Sequence, residues 1–392
     1  MIPREVLGSS RMASATWSLL AEPGDETAGA LRAVLGVEGA LEWTSQALGS
    51  ADEGVPSHLL AELVGGDLPR AERLGRAVER WRRRARDADP RPVLDRLERL
   101  GGRLVCPADD DWPVGLGDLG ASAPACLWWR GSLDPGRLAE RSVAVVGSRA
   151  ATSYGTHLAG ELSAELAERG FVIVSGGAFG IDVAAHRGAL AVGGQTVVLL
   201  AGGVDRPYPA SHVRVFEQVR TEGGAIVSEV PLGWSPTRSR FLLRNRLIAA
   251  LARGTVVVEA ALRSGALSTA RHAAALLRPV GAVPGPVTSS ASAGCHALVR
   301  DAVATLVTGA DEVAELVGAL GEDALGEPSA PEGLGELARR VLDAVPVSRG
   351  ASVDSVLRTA GVGDREGKSA LGVLELGGFV RRSGERWVRE AL

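Results

Sequence analysis

The residues of this chain best suited to chemistry sit in small, glycine-rich turns that follow apolar runs and lie near arginines. Val143-Ala-Val-Val leads into Gly147-Ser148-Arg149, and Phe171-Val-Ile-Val into Ser175-Gly176-Gly177-Ala178-Phe179-Gly180-Ile181-Asp182. Small residues after a strand leave backbone amides and a helix N-terminus open to a phosphate, with no Cβ in the way. Arg149 adds charge to the first turn, although Gly-Ser-Arg alone also suits a tight turn with its arginine in a surface ion pair. In the second, Gly176, Gly177 and Gly180 make an amide-lined cradle, and Phe179 at its tip can stack on a base of any identity. Asp182 would repel a phosphate, so its expected role is to accept amides where the next helix starts.

Arg240-Phe-Leu-Leu-Arg244-Asn245-Arg246 opens a third helix. Residues two apart on a helix point roughly 200° from each other, so Arg244 and Arg246 cannot both face one nucleic-acid strand. The spacing predicts divided labour, one guanidinium on phosphate and the other turned inward to Glu229, Glu259 or Asp182, without saying which. Ser264-Gly265, running on to Thr269, supplies a further helix N-terminus at the same sheet edge. The residues expected to contact a nucleic-acid strand are therefore Gly147, Ser148 and Arg149, Ser175, Gly176, Gly177, Phe179 and Gly180, Arg240, Arg244, Asn245 and Arg246, and Ser264 with Gly265; Asp182, Glu259 and Thr269 are expected in support.

No catalytic residue, cofactor or metal site is expected. His157, His186, His212, His272 and His296 show no ligand spacing and no partnered nucleophile. Cys106, Cys126 and Cys295 are odd in number and far apart, which suits reduced thiols. Lys368 is the only lysine, far from the glycine-rich turns, which argues against a P-loop nucleotidase or a Schiff-base enzyme. A net charge of −4 confines any nucleic-acid site to a local patch.

The elements that must hold these turns are regular. Apolar strands at 143–147, 171–175, 196–200, 225–228, 255–259 and 280–283 alternate with helical stretches near 154–169, 181–192, 211–222, 240–252 and 266–277. Continuous apolar strands spaced by helices predict an α/β fold, a doubly wound, Rossmann-like parallel sheet covered on both faces.

Residues 1–100 read as a small helical domain, SAM- or helix-hairpin-helix-like. Its last helix carries arginines from Arg70 to Arg86 around Trp81; interleaved with Glu72, Glu79 and Asp87, they suit a solvated surface better than a dedicated DNA patch. The core domain spans 101–318, with 101–142 a Gly-, Pro- and Trp-rich lead-in, and 319–335 reads as a linker. Within 336–392, helices at 337–344, 353–360 and 368–376 precede a hairpin turning at Ser383-Gly384, the order of a winged helix. No run of eighteen apolar residues occurs and Met1-Ile-Pro-Arg-Glu lacks the order of a signal peptide, so a cytoplasmic protein with no membrane partner is expected.

Taken in order, these motifs resemble the DNA-processing protein A family (DprA, also called Smf). The resemblance runs from about Arg103 to Val313. It rests on Asp111-Trp112-Pro113, Gly147-Ser-Arg149, Ser175 to Asp182 with Ala185-His186, Arg244-Asn-Arg246, Val257-Val-Glu259, Ser264-Gly265 to Thr269, and Pro284-Gly285. It implies a homodimer that binds and protects single-stranded DNA on the Rossmann-like domain and loads the RecA recombinase in natural transformation. Two positions depart from the pattern: Phe179 stands where many relatives carry a basic residue, and Leu242 or Leu243 where proline often precedes the Arg-Asn-Arg.

Two rivals remain. The sheet also resembles LOG-type phosphoribohydrolases, which cleave nucleoside monophosphates; their carboxylate position is here His272, and two motif glycines are Ala266 and Ser268, which argues against turnover. A duplex-binding regulator acting through the winged helix is the other, against which stands the weak basic content of that segment.

Overall fold

The structure, a computed structural model, describes residues 8–49, 67–318, 335–346, 350–384 and 386–389. It falls into two compact units, Met1–Ala324 and Leu325–Leu392. The expected linker lies outside the described residues except for Gly335, as does Met1-Ile-Pro-Arg-Glu. No helix among the described residues is long and apolar enough to cross a membrane.

The first unit begins with α1 (Ser10–Leu20), α2 (Glu26–Gly49, interrupted at Gly36, φ 72°), α3 (Leu68–Arg82) and α4 (Arg91–Arg99). Their apolar faces close over Trp17, Leu20, Leu41, Val78 and Trp81, with Trp17 and Trp81 edge to face at 5.2 Å. Ala125 and Trp234 from later in the chain join that core, and Ala15 of α1 shares a core with Leu104 and Trp128 of the sheet, so the helices rest on the sheet rather than standing free of it.

The sheet follows. Strands β1 (Gly102–Val105) and β2 (Leu127–Gly131) and a short helix α5 (Arg137–Glu140) lead to β3 (Ser142–Val146), α6 (Ser153–Glu168), β4 (Val172–Gly176), α7 (Ile181–Ala191) and β5 (Thr196–Leu199). Then come α8 (Val213–Thr221), β6 (Ala225–Ser228), α9 (Arg238–Leu251), β7 (Gly254–Val257), α10 (Ala266–Ala275), β8 (Val280–Ala282), α11 (Ala293–Arg300), β9 (Thr305–Leu306) and α12 (Ala310–Val317). The strands expected between 143 and 283 are all present, with ends within two residues of those expected. Along them, side chains alternate between two cores. Ala144, Val146, Val172 and Val174 face α9 and α10, while Val143, Val145 and Ile173 face α6 and α7.

The strand order is β1-β2-β6-β5-β4-β3-β7-β8-β9. Strands β3 to β9 pair in parallel, but β2 runs antiparallel to β6 and β1 antiparallel to β2. The sheet is therefore mixed, and the lead-in at 101–142 contributes two of its strands. Those strands escape a sequence reading because β1 spans only four residues, and on β2 Trp128 and Trp129 are buried on opposite faces, which erases the alternation of a half-exposed strand. From β3 the chain steps outward through β4, β5 and β6, then returns to place β7 on β3's other side. That reversal opens a crevice beyond the carboxyl ends of β3 and β7, where open α/β sheets take their ligands.

In the second unit the order is α13 (Glu336–Ala344), β10 (Ala351–Ser352), α14 (Val353–Ala360), α15 (Asp364–Leu376), β11 (Val380–Ser383) and β12 (Arg386–Arg389). Val341, Val356, Leu371, Leu374 and Trp387 fill its core. Beyond the expected helices and hairpin, the two-residue β10 pairs with β12 to make three strands.

Candidate nucleic-acid interface

The crevice at the β3/β7 reversal is a cleft of about 460 Å³. Its walls are Gly147, Ser148 and Arg149 after β3, Ala178 and Asp182 from the second turn, Phe241, Arg244 and Asn245 from α9, and Arg263, Ser264, Gly265 and Thr269 at the start of α10. Backbone contacts lock these pieces together. The Ser148 amide donates to the Glu259 carbonyl at 2.7 Å, and the Ile181 amide donates to the Ser148 carbonyl at 3.2 Å. Gly180 holds a left-handed φ of 76°, and a Cβ there would stand 2.2 Å from the Ser148 carbonyl oxygen, so the turn requires glycine on both counts. Asn245 Nδ2 donates to the Gly265 carbonyl at 3.2 Å and so ties α9 to the start of α10.

Glu259 is buried and works behind the cleft. Its carboxylate accepts the Thr152 amide at 2.9 Å and the Thr152 hydroxyl at 2.6 Å. Thr152 is in turn the N-cap of α6. Asp182 is buried at the α7 start and accepts the Ala178 amide at 3.3 Å. Burial pushes its carboxyl pKa up, against the pull of Arg244, the Ala178 amide and Arg149.

The two arginines of α9 are both buried, on opposite sides of the helix. Arg246 forms an ion pair with Glu229 at 2.8 Å and donates to the Ser122 carbonyl. Arg244 lines the cleft, donates to the Leu199 carbonyl and lies against Gly176. Burial lowers its pKa to about 10, although Asp182 opposes the shift. Arg246 is thus the arginine turned inward to a carboxylate, while Arg244, although α9 is buried continuously from Arg244 to Leu251, is the one on the cleft wall. Arg240 is drawn away too: Glu22 accepts its Nε and Nη2 at 3.0 and 2.9 Å, and the Ser235 carbonyl accepts Nη1 at 2.8 Å.

The second turn divides. Ser175, Gly176 and Gly177 are buried, with the Ser175 hydroxyl donating to the Val145 carbonyl at 2.6 Å, so they shape the site without facing it. The cause is depth, since the strand end is still inside the sheet when the turn begins. Phe179 is 49% exposed, edge to face on His212 at 4.7 Å. Two buried histidines brace this turn from behind: His186 Nε2 lies 2.8 Å from the Gly176 carbonyl, and His212 Nδ1 3.1 Å from that of Gly177.

Several participants escape a sequence reading. The exposed Arg263 lines the cleft; its position immediately before Ser264-Gly265 was the available signal. Phe241 carries the exposed Arg149 guanidinium 4.8 Å from its ring centroid and meets the half-exposed Tyr208 edge to face at 5.8 Å. Nothing in the spacing of residues 149, 208 and 241 announces that contact. His272, at the carboxylate position of the LOG-type comparison, is partly buried, and burial, then Arg246, lowers its pKa.

The sequence profile of the DNA recombination-mediator protein A family matches residues 103–318. A putative DNA processing protein DprA of Mycobacterium tuberculosis is 48% identical over 307 residues, 75% of this chain and 78% of that protein. Protein Smf of Escherichia coli is 40% identical over 219 residues, 56% of this chain and 58% of its own. Among solved structures, DNA processing protein A from Streptococcus pneumoniae superposes with a TM-score of 0.60 at 30% identity, covering 78% of this chain and 96% of that one.

Proposed function

The chain belongs to the DNA recombination-mediator protein A family, and from that premise we propose that it binds single-stranded DNA in the β3/β7 cleft, independently of sequence. The observation that carries the reading is the convergence of Arg149, Arg263 and Arg244 on one cleft whose rims are backbone turns and helix starts. Guanidiniums and amides there suit phosphate oxygens. Phe179 and Tyr208, both about half exposed, offer ring surface to unstacked bases, which a duplex keeps inside its helix.

In this reading the protein holds and protects a strand rather than turning it over, and hands it to the RecA recombinase during DNA uptake and recombination. It acts in the cytoplasm as a homodimer. The C-terminal unit is read as a winged helix, an accessory to the cleft. Support for the recombinase step is the family's description as a recombination mediator.

Fluorescence anisotropy with labelled oligo-dT and a matched duplex across a salt series tests the proposal. Tight, salt-sensitive binding of the single strand, weakened in Arg149→Ala, is the expected result. Equal or stronger duplex binding that ignores Arg149→Ala would overturn the cleft and move the function to the C-terminal unit.

A further inference from the structure

We infer that the N-terminal helices extend the DNA path: a single strand seated in the cleft leaves it over the first turn of α9 and continues along a basic band of Arg84, Arg83 and Arg80, which Arg240 ties to α9 as a strut. This rests on the cleft reading and adds a second surface to it.

The band starts one residue from the cleft wall. Phe241 lines the cleft and bears the Arg149 guanidinium; its neighbour Arg240 places its own guanidinium 4.6 Å from the ring centroid of Trp234. Arg84, just past the end of α3, lies 5.1 Å from the same ring. Trp234 thus gathers two cations from parts of the chain about 150 residues apart, an arrangement favoured by the ring's quadrupole. Glu22 pairs with both guanidiniums and holds them together.

Beyond Arg84, the exposed Arg83 and Arg80 border a cavity of about 230 Å³ together with Glu22, Asp25 and Trp81. Arg80 pairs with Asp25 at 3.3 Å, while Arg83 has no ion pair among the described residues. Four arginines therefore face two carboxylates, a local positive excess on a chain whose net charge is −4. Of the other arginines of α3, Arg70, Arg76 and Arg82 pair along their own helix with Asp67, Glu72 and Glu79, and Arg73 borders a different pocket beside Glu26. Arg84 beside the Trp234 ring and the exposed Arg80 and Arg83 suit the phosphates of a strand, and Arg240, next to Phe241 in the chain, ties the band to the cleft.

The test compares dT6, short enough for the cleft alone, with dT25, using the full chain in a salt series. The Arg80→Ala/Arg83→Ala double variant and Arg83→Glu, all at exposed positions, are checked for unchanged thermal melting. Both variants are expected to weaken dT25 about tenfold while leaving dT6 unchanged, and the double variant to flatten the dependence of log K on log salt by about 1.4, two phosphate contacts' worth. Wild-type binding of both oligomers with no loss on dT25, or equal loss on both, overturns the extension alone. Failure of wild type to bind either removes the cleft reading and the extension with it.

Discussion

Arg244 occupies the space that a side chain on Gly176 would need: a Cβ there would stand 2.1 Å from Nη1. The glycine-rich turn thus serves a guanidinium of its own chain before it serves any ligand. Gly176→Ala is expected to push Arg244 from its seat, at a cost of about 1–3 kcal/mol in stability and with loss of DNA affinity. Chemical denaturation and anisotropy on one preparation check both, and an unchanged affinity would detach Arg244 from the site.

Arg246 and Arg263 should separate stability from binding. Removing Arg246 takes from the buried Glu229 its ion-pair partner, so Arg246→Ala is expected to cost about 3–5 kcal/mol in urea unfolding. Arg263 is exposed on the cleft wall. Arg263→Ala should change stability by less than about 0.5 kcal/mol yet flatten the salt slope of oligo-dT binding by about 0.7.

His186 should make the fold acid-sensitive. It is wholly buried behind the second turn, where burial lowers its pKa from 6.5 to about 4, with Arg244 and His212 adding to the shift and the Gly176 carbonyl opposing it. Between those two values the unfolded chain binds more protons than the folded one, so this histidine's share of stability is complete above pH 6.5 and is lost as pH falls toward 4, roughly 3 kcal/mol in all. Asp182, with its pKa raised by burial, acts in the opposite sense, so the readout is a difference. His186→Gln should show a shallower fall than wild type in denaturation series at pH 7, 5.5 and 4.5.

Phe179 contacts bases rather than phosphates in this reading. Phe179→Ala is then expected to lose about 1–3 kcal/mol of oligo-dT affinity with no change in salt slope, whereas Phe179→Arg should steepen the slope by about 0.7. A flatter slope in the alanine variant would show that the ring acts through the nearby cations instead.

The sequence alone determined the framework on which all this stands. Strands of continuous Val, Ile and Ala spaced by helices admit little but a sheet covered on both faces, and small residues directly after β3 and β4 put turns at its carboxyl edge. Local chemistry sufficed there, because burial and backbone clearance act within a few residues. Tertiary structure decided which groups face the cleft. Ser175, Gly176 and Gly177 read as a cradle but lie too deep, and Arg240 reads as a phosphate ligand but is claimed by Glu22, 218 residues earlier. Arg246 finds Glu229, and Arg149 finds Phe241, across separations no periodicity encodes. Whether an arginine is a ligand or a strut depends on the carboxylates and rings that folding brings beside it, and those arrive from distant parts of the chain.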